Sequence, residues 1–154
     1  MSRKQVKNHF AFVYSGRPES YNANNTRKNI YKKNISSTYN RFFTGKIDGG
    51  KDLYAIVYYF FRENLNLDAD NISKPMWDAL NDVGYSDDNQ IKIRTAVSIN
   101  LCKYDILDFD QDNIPSEIAA DLFECLMESD HTLYIEVGTI DNYENIFNIS
   151  NLWK

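Results

Sequence analysis

The sequence predicts one α+β domain: a mixed sheet of about four strands with helices packed on it, spanning residues 1–154. Three observations point there. A chain of 154 residues with 43% hydrophobic content is long enough to bury a single core. Strand-like runs carry apolar residues on alternating or on both faces. Between them lie helix-like stripes with the spacing of an amphipathic helix. With 11 tyrosines and 9 phenylalanines, the core is expected to be aromatic-rich.

The first element is "HFAFVYSG", with apolar residues on both faces, a strand ending at Ser15-Gly16. The segment "RPESYNANNTRKNIYKKNISS" is rich in Asn, Arg, Lys and Ser and reads as a loop, with a short helix at 37–44. "LYAIVYYFFR" is the strongest strand signal: Leu53, Ala55, Val57, Tyr59 and Phe61 share one face, and Tyr54, Ile56, Tyr58 and Phe60 the other. Such a strand belongs in the middle of a sheet, covered on both sides.

After an acidic loop, "ISKPMWDALNDV" fits a helix with the stripe Ile72, Met76, Ala79, Leu80 and Val83. Proline in mid-helix costs about 3 kcal/mol, so Pro75 is expected in the first turn, with a start near 71–73. Gly84 stands where a terminating glycine belongs. "QIKIRTAVSINL" reads as a strand, a helix follows from about Pro115 to 128, and "TLYIEVGTI" is the last strand. The tail "DNYENIFNISNLWK" is ambiguous, but its aromatic residues suggest docking.

Charge is divided unevenly. Residues 1–46 hold ten basic residues and one acid, net +9; the rest hold seven bases and 21 acids, net −14. A basic surface beside an acidic one is expected, although a solubilising tail would look the same in composition. No apolar run reaches the roughly 20 residues that span a bilayer, so no membrane association is expected. Cys102 and Cys125 lack metal-site spacing and read as buried thiols. With no signal-like apolar stretch near "MSRKQVKNHF", the expected compartment is the cytoplasm.

The acidic residues carry the chemistry. Asp68 and Asp70 stand two apart, and in extended chain such side chains point the same way. A helix of about 12 residues then climbs roughly 18 Å before the chain turns at Gly84. If the following strand pairs beside 53–62, Asp87 and Asp88 return toward Asp68 and Asp70. Converging carboxylates repel unless one is protonated or a hard cation offsets the charge, and oxygen-only ligands suit magnesium or manganese. Lys74 would face the same cleft, and carboxylates, metal and lysine together suit phosphodiester hydrolysis. Each feature also has a plainer reading. A lone DxD is usually solvated surface or a helix cap, Asp87-Asp88 a turn, and Lys74 with Asp78 an exposed pair.

Read as a whole, "DADNISKPMWDALNDVGYSDDNQI" resembles the signature of the RusA family of Holliday-junction resolvases: D-x-D-N-x-x-K, then D-x-L, then D-D-x-x-I/V after a glycine turn. The matching residues are Asp68, Asp70, Asn71, Lys74, Pro75, Asp78, Leu80, Gly84, Asp87, Asp88 and Ile91. The resemblance implies magnesium, with manganese as a substitute, held by Asp68, Asp70 and Asp88. It implies Lys74 as a residue needed for cleavage. It also implies a RusA-like fold and a homodimer that resolves Holliday junctions by paired nicks in recombination and repair. Arg17, Arg27, Lys28, Lys32 and Lys33 would contact DNA phosphates. Two features depart from the family: only a short helix is expected after the basic loop, and a helix near 115–128 looks inserted. Alternatives are a nuclease for forks, flaps or other branched DNA, and a non-catalytic DNA-binding protein.

Overall fold

The structure, a computed structural model, describes residues 2–63, 68–104 and 114–145. In chain order the elements are β1 (Lys4–Gln5), β2 (His9–Ser15), α1 (Asn25–Phe42), β3 (Phe43–Thr44), β4 (Leu53–Phe61), α2 (Ala69–Leu80), β5 (Ile91–Asn100), α3 (Ser116–Glu128) and β6 (His131–Thr139). Short 3-10 turns occupy Asp88–Gln90 and Ile140–Asn145. The main sheet has the order β2-β6-β4-β5, and β1 with β3 forms a small parallel pair. The chain is thus one α+β fold with a mixed four-stranded sheet.

Register fixes the geometry. Strand β6 runs antiparallel to both β2 and β4, while β4 and β5 are parallel, with Leu53 opposite Ile91 and Phe61 opposite Asn100. The ends of β2, β4 and β5 therefore share one edge of the sheet with the start of β6. Strand β4 is internal, as its two apolar faces require. Leu53, Ala55, Val57, Tyr59 and Phe61 face the core beneath α1 and α2, while Phe60 belongs to a second cluster that includes Leu122 and Leu126 of α3.

The largest correction concerns the basic segment. Most of the expected loop is the 18-residue helix α1; the expected short helix supplies its C-terminal residues 37–42, while Phe43–Thr44 are β3. Its buried stripe is Tyr31, Ile35 and Tyr39, one residue per turn in an otherwise polar sequence. Asn24 caps it, its side chain accepting a hydrogen bond from the Arg27 amide at 2.9 Å.

Helix α2 buries Ile72, Met76, Trp77, Ala79 and Leu80, as its periodicity predicts. It starts earlier than expected, and Pro75 is its seventh residue rather than part of the first turn. A proline there removes the N–H that would bond the Asn71 carbonyl. That carbonyl is satisfied from elsewhere: the Tyr21 amide donates to it at 3.0 Å. The terminating role expected of Gly84 falls to Asp82, which takes a φ of 62°. Gly84 is needed for space instead, since a Cβ there would lie 2.6 Å from the Phe10 ring.

Helix α3 follows Pro115 as expected and packs across β2 and β6. The cysteines differ from expectation: both are free, but Cys102 is exposed and Cys125 only partly covered. Of the tail, Tyr143 packs its ring 5.5 Å from that of Tyr54; residues 146–154 lie outside the described residues, as does most of the acidic loop before Asp68. Among the described residues, no helix is long and apolar enough to cross a membrane.

Candidate functional site

In sheets with parallel strands, ligands bind beyond the carboxyl ends of those strands, where helices begin. Here that edge follows Phe61 of β4 and Asn100 of β5. Helix α2 starts there, with Asp68 at its cap and Asp70 in its first turn. Both carboxylates are exposed, and the Asp68 side chain makes no capping hydrogen bond. Negative charge at a helix N-terminus is favourable, which offsets part of the repulsion between them. Asp70 already lies within the helix, so the extended-chain argument for a shared direction does not apply to this pair.

The basic segment reaches the same edge. Ser15 of β2 and Phe60 of β4 flank Thr132 of β6, so the chain leaves β2 beside the end of β4. Arg17 follows, and its charge acts on the Tyr59 hydroxyl of β4. The Tyr21–Asn71 hydrogen bond joins this segment to the first turns of α2. Lys28 lies over the Tyr21 ring at 4.9 Å, and Arg27 pairs with Glu19 at 3.2 Å. The Tyr21 backbone thus ties this segment to the first turns of α2, with Lys28 stacked on the Tyr21 ring. Lys32 and Lys33 are exposed farther along α1.

The other predicted residues lie elsewhere. Because β4 and β5 are parallel, α2 carries the chain back along the full strand length, and Asp88 emerges beside the start of β4. A 12-residue helix separates it from Asp68 and Asp70 by about 18 Å along the axis. There Asp88 sits 3.7 Å from the Arg94 guanidinium. Asp87 caps the turn, accepting from the Asn89 amide at 3.0 Å. Lys74 is exposed in mid-helix and pairs with Asp78 at 3.4 Å. The expected convergence of the acids is therefore not met: among the described residues, no three His, Cys, Asp or Glu side chains are placed to share a metal ion. The reason is strand direction, since only an antiparallel β5 would have brought Asp88 back to the α2 cap.

Three residues that sequence reasoning missed meet at the carboxyl edge. His131, the first residue of β6, holds the Tyr59 hydroxyl on Nδ1 at 2.7 Å and a Glu63 carboxylate oxygen on Nε2 at 3.0 Å. The His131 and Tyr59 rings stack at 9°. Burial pushes the Tyr59 hydroxyl up to about 12, with Arg17 opposing and Glu63 adding to the shift. Glu63 is fixed through its backbone as well, its carbonyl accepting from Asn100 Nδ2 at 3.3 Å. Nothing local in the sequence signals this group, because only the pairing of β4 with β6 joins its members.

No protein-family model and no curated protein matches the chain.

Proposed function

We propose that the protein is a magnesium-dependent, structure-selective DNA endonuclease that resolves Holliday junctions by paired nicks. The observation that carries this reading is the Tyr21–Asn71 hydrogen bond, which holds a basic segment against the helix turn bearing Asp68 and Asp70. Phosphodiester cleavage needs cations to receive the backbone and a carboxylate site beside them. The donor set suits magnesium in one respect: that ion is commonly held by one or two carboxylates together with substrate phosphates. Asp68 and Asp70 would hold it, and when bound it supplies Lewis-acid polarisation of the scissile phosphate. Arg17, Arg27 and Lys28 receive the flanking phosphates, with Lys32 and Lys33 extending the track along α1. Lys74 lies one turn beyond Asp70 and releases Asp78 to meet negative charge on the reacting phosphate. Two copies acting on opposite strands satisfy the symmetry of a four-way junction.

The absence of a three-acid group among the described residues favours a second reading, a DNA-binding protein without cleavage activity. Incubating the protein with four-way, forked, flapped and linear DNA in magnesium separates them. Nicks confined to the four-way junction support a resolvase. Nicks at forks or flaps move the substrate to other branched DNA. Binding without nicks supports the second reading.

A further inference from the structure

The Glu63–His131–Tyr59 group has no part in the reading above, yet it occupies the same sheet edge. Both ring nitrogens of His131 are engaged, so the imidazole has no free nitrogen for a substrate. With Glu63 ionised, Nε2 carries the proton and donates to Oε1, which leaves Nδ1 to accept from the Tyr59 hydroxyl. The ring is mostly enclosed, with a side-chain exposure of 15%, whereas Glu63 is 41% exposed. The open end of the relay is therefore the second carboxylate oxygen of Glu63. A base held by a second group that a third group orients is the arrangement enzymes use to fix a reactive side chain. Glu63 is also pinned by Asn100 from the neighbouring strand end, and only four residues separate it from Asp68 in the chain.

We propose that Glu63 is the general base of the cleavage reaction and His131 its positioning residue; the assignment rests on the nuclease reading. The water oxygen forms a bond to phosphorus and passes its proton to Glu63 Oε2. The phosphorus–oxygen bond to the leaving sugar breaks, and that oxygen takes a proton from solvent. His131 holds Oε1 throughout, so the free oxygen keeps one orientation, and Tyr59 holds His131.

The test is single-turnover cleavage of a four-way junction in saturating magnesium, with DNA affinity and melting temperature measured for every variant. Glu63→Gln should bind the junction as wild type does and cut at least about 100-fold more slowly. His131→Phe should also cut slowly, while His131→Gln, whose amide can still donate to Glu63, should recover part of the rate. The double variant Glu63→Gln/His131→Phe should be no slower than Glu63→Gln alone, because His131 acts through Glu63. A Glu63→Gln enzyme that cuts at the wild-type rate overturns the base role and leaves the nuclease reading standing. A fully additive double variant overturns the positioning role of His131. Wild-type protein that binds the junction without cutting it removes the nuclease reading and this assignment with it.

Discussion

The Tyr21 amide donates to the Asn71 carbonyl at 3.0 Å, filling the place that Pro75 vacates in α2. A proline that would cost a helix about 3 kcal/mol instead creates an acceptor for a segment 50 positions earlier in the chain. This exchange fastens the basic segment to the turn that carries Asp68 and Asp70. Pro75→Ala restores an N–H that competes for the same carbonyl. Hydrogen exchange at the Tyr21 amide should therefore speed up in the variant while α2 remains helical. Unchanged protection of Tyr21 would mean that the segment is held by other contacts.

Lys74 is in contact with Asp78 at 3.4 Å, with both side chains about half exposed. As a surface pair it is worth a few tenths of a kcal/mol. If Lys74 instead meets charge on the reacting phosphate, Lys74→Ala should cut junction DNA about 100-fold more slowly with little change in affinity. Asp78→Ala should cut near normally. Equal, small effects in both would reduce Lys74 to its surface role.

The fold was legible where a signal is local. The Ile72, Met76, Ala79 and Leu80 stripe and the two apolar faces of β4 both stand where periodicity puts them. Helix α1 was not legible, because Tyr31, Ile35 and Tyr39 are its only buried residues in a run of Asn, Lys and Ser. The start of α2 is hidden from the sequence for a different reason: the donor that makes Pro75 tolerable belongs to Tyr21. Of the site, Asp68 and Asp70 stand at the start of α2, to which the Tyr21–Asn71 hydrogen bond ties the basic segment. The place of Asp88 depends on strand direction, which spacing does not encode, and the His131 relay depends on register alone.

The basic helix makes a quantitative prediction. Replacing Arg27, Lys28, Lys32 and Lys33 with Ala should weaken junction binding and lower the log–log salt slope by about one unit per lost phosphate contact. All four are in α1, and its buried stripe contains none of them, so melting temperature should change little. A wild-type slope in the quadruple variant would place the phosphate contacts elsewhere.

On the far face of the sheet, Glu136 is buried with the hydroxyls of Tyr54 and Tyr134 donating to it and His9 3.7 Å away. Burial pushes its carboxyl up, but His9 and the two tyrosines together hold it below the ordinary value of 4.5. A depressed folded value means the charged form contributes stability above that pH, and the contribution is lost as pH falls through the lower folded value. Urea unfolding between pH 7 and pH 3 should show this loss. Glu136→Gln should lower stability at pH 7 by about 1–3 kcal/mol and flatten the acid dependence. An acid profile unchanged by the substitution would remove Glu136 as its source.

The central claim is that cleavage occurs at the carboxyl edge, where Asp68 and Asp70 meet the basic segment. The most direct measurement is magnesium-dependent nicking of a four-way junction by wild type, Asp68→Asn, Asp70→Asn and Asp88→Asn at matched DNA binding. Wild type should nick, the Asp68 and Asp70 variants should bind without nicking, and Asp88→Asn, altered at the opposite end of α2, should keep its rate within about tenfold. Full activity in the Asp68 and Asp70 variants, or loss of nicking in Asp88→Asn alone, would contradict the account.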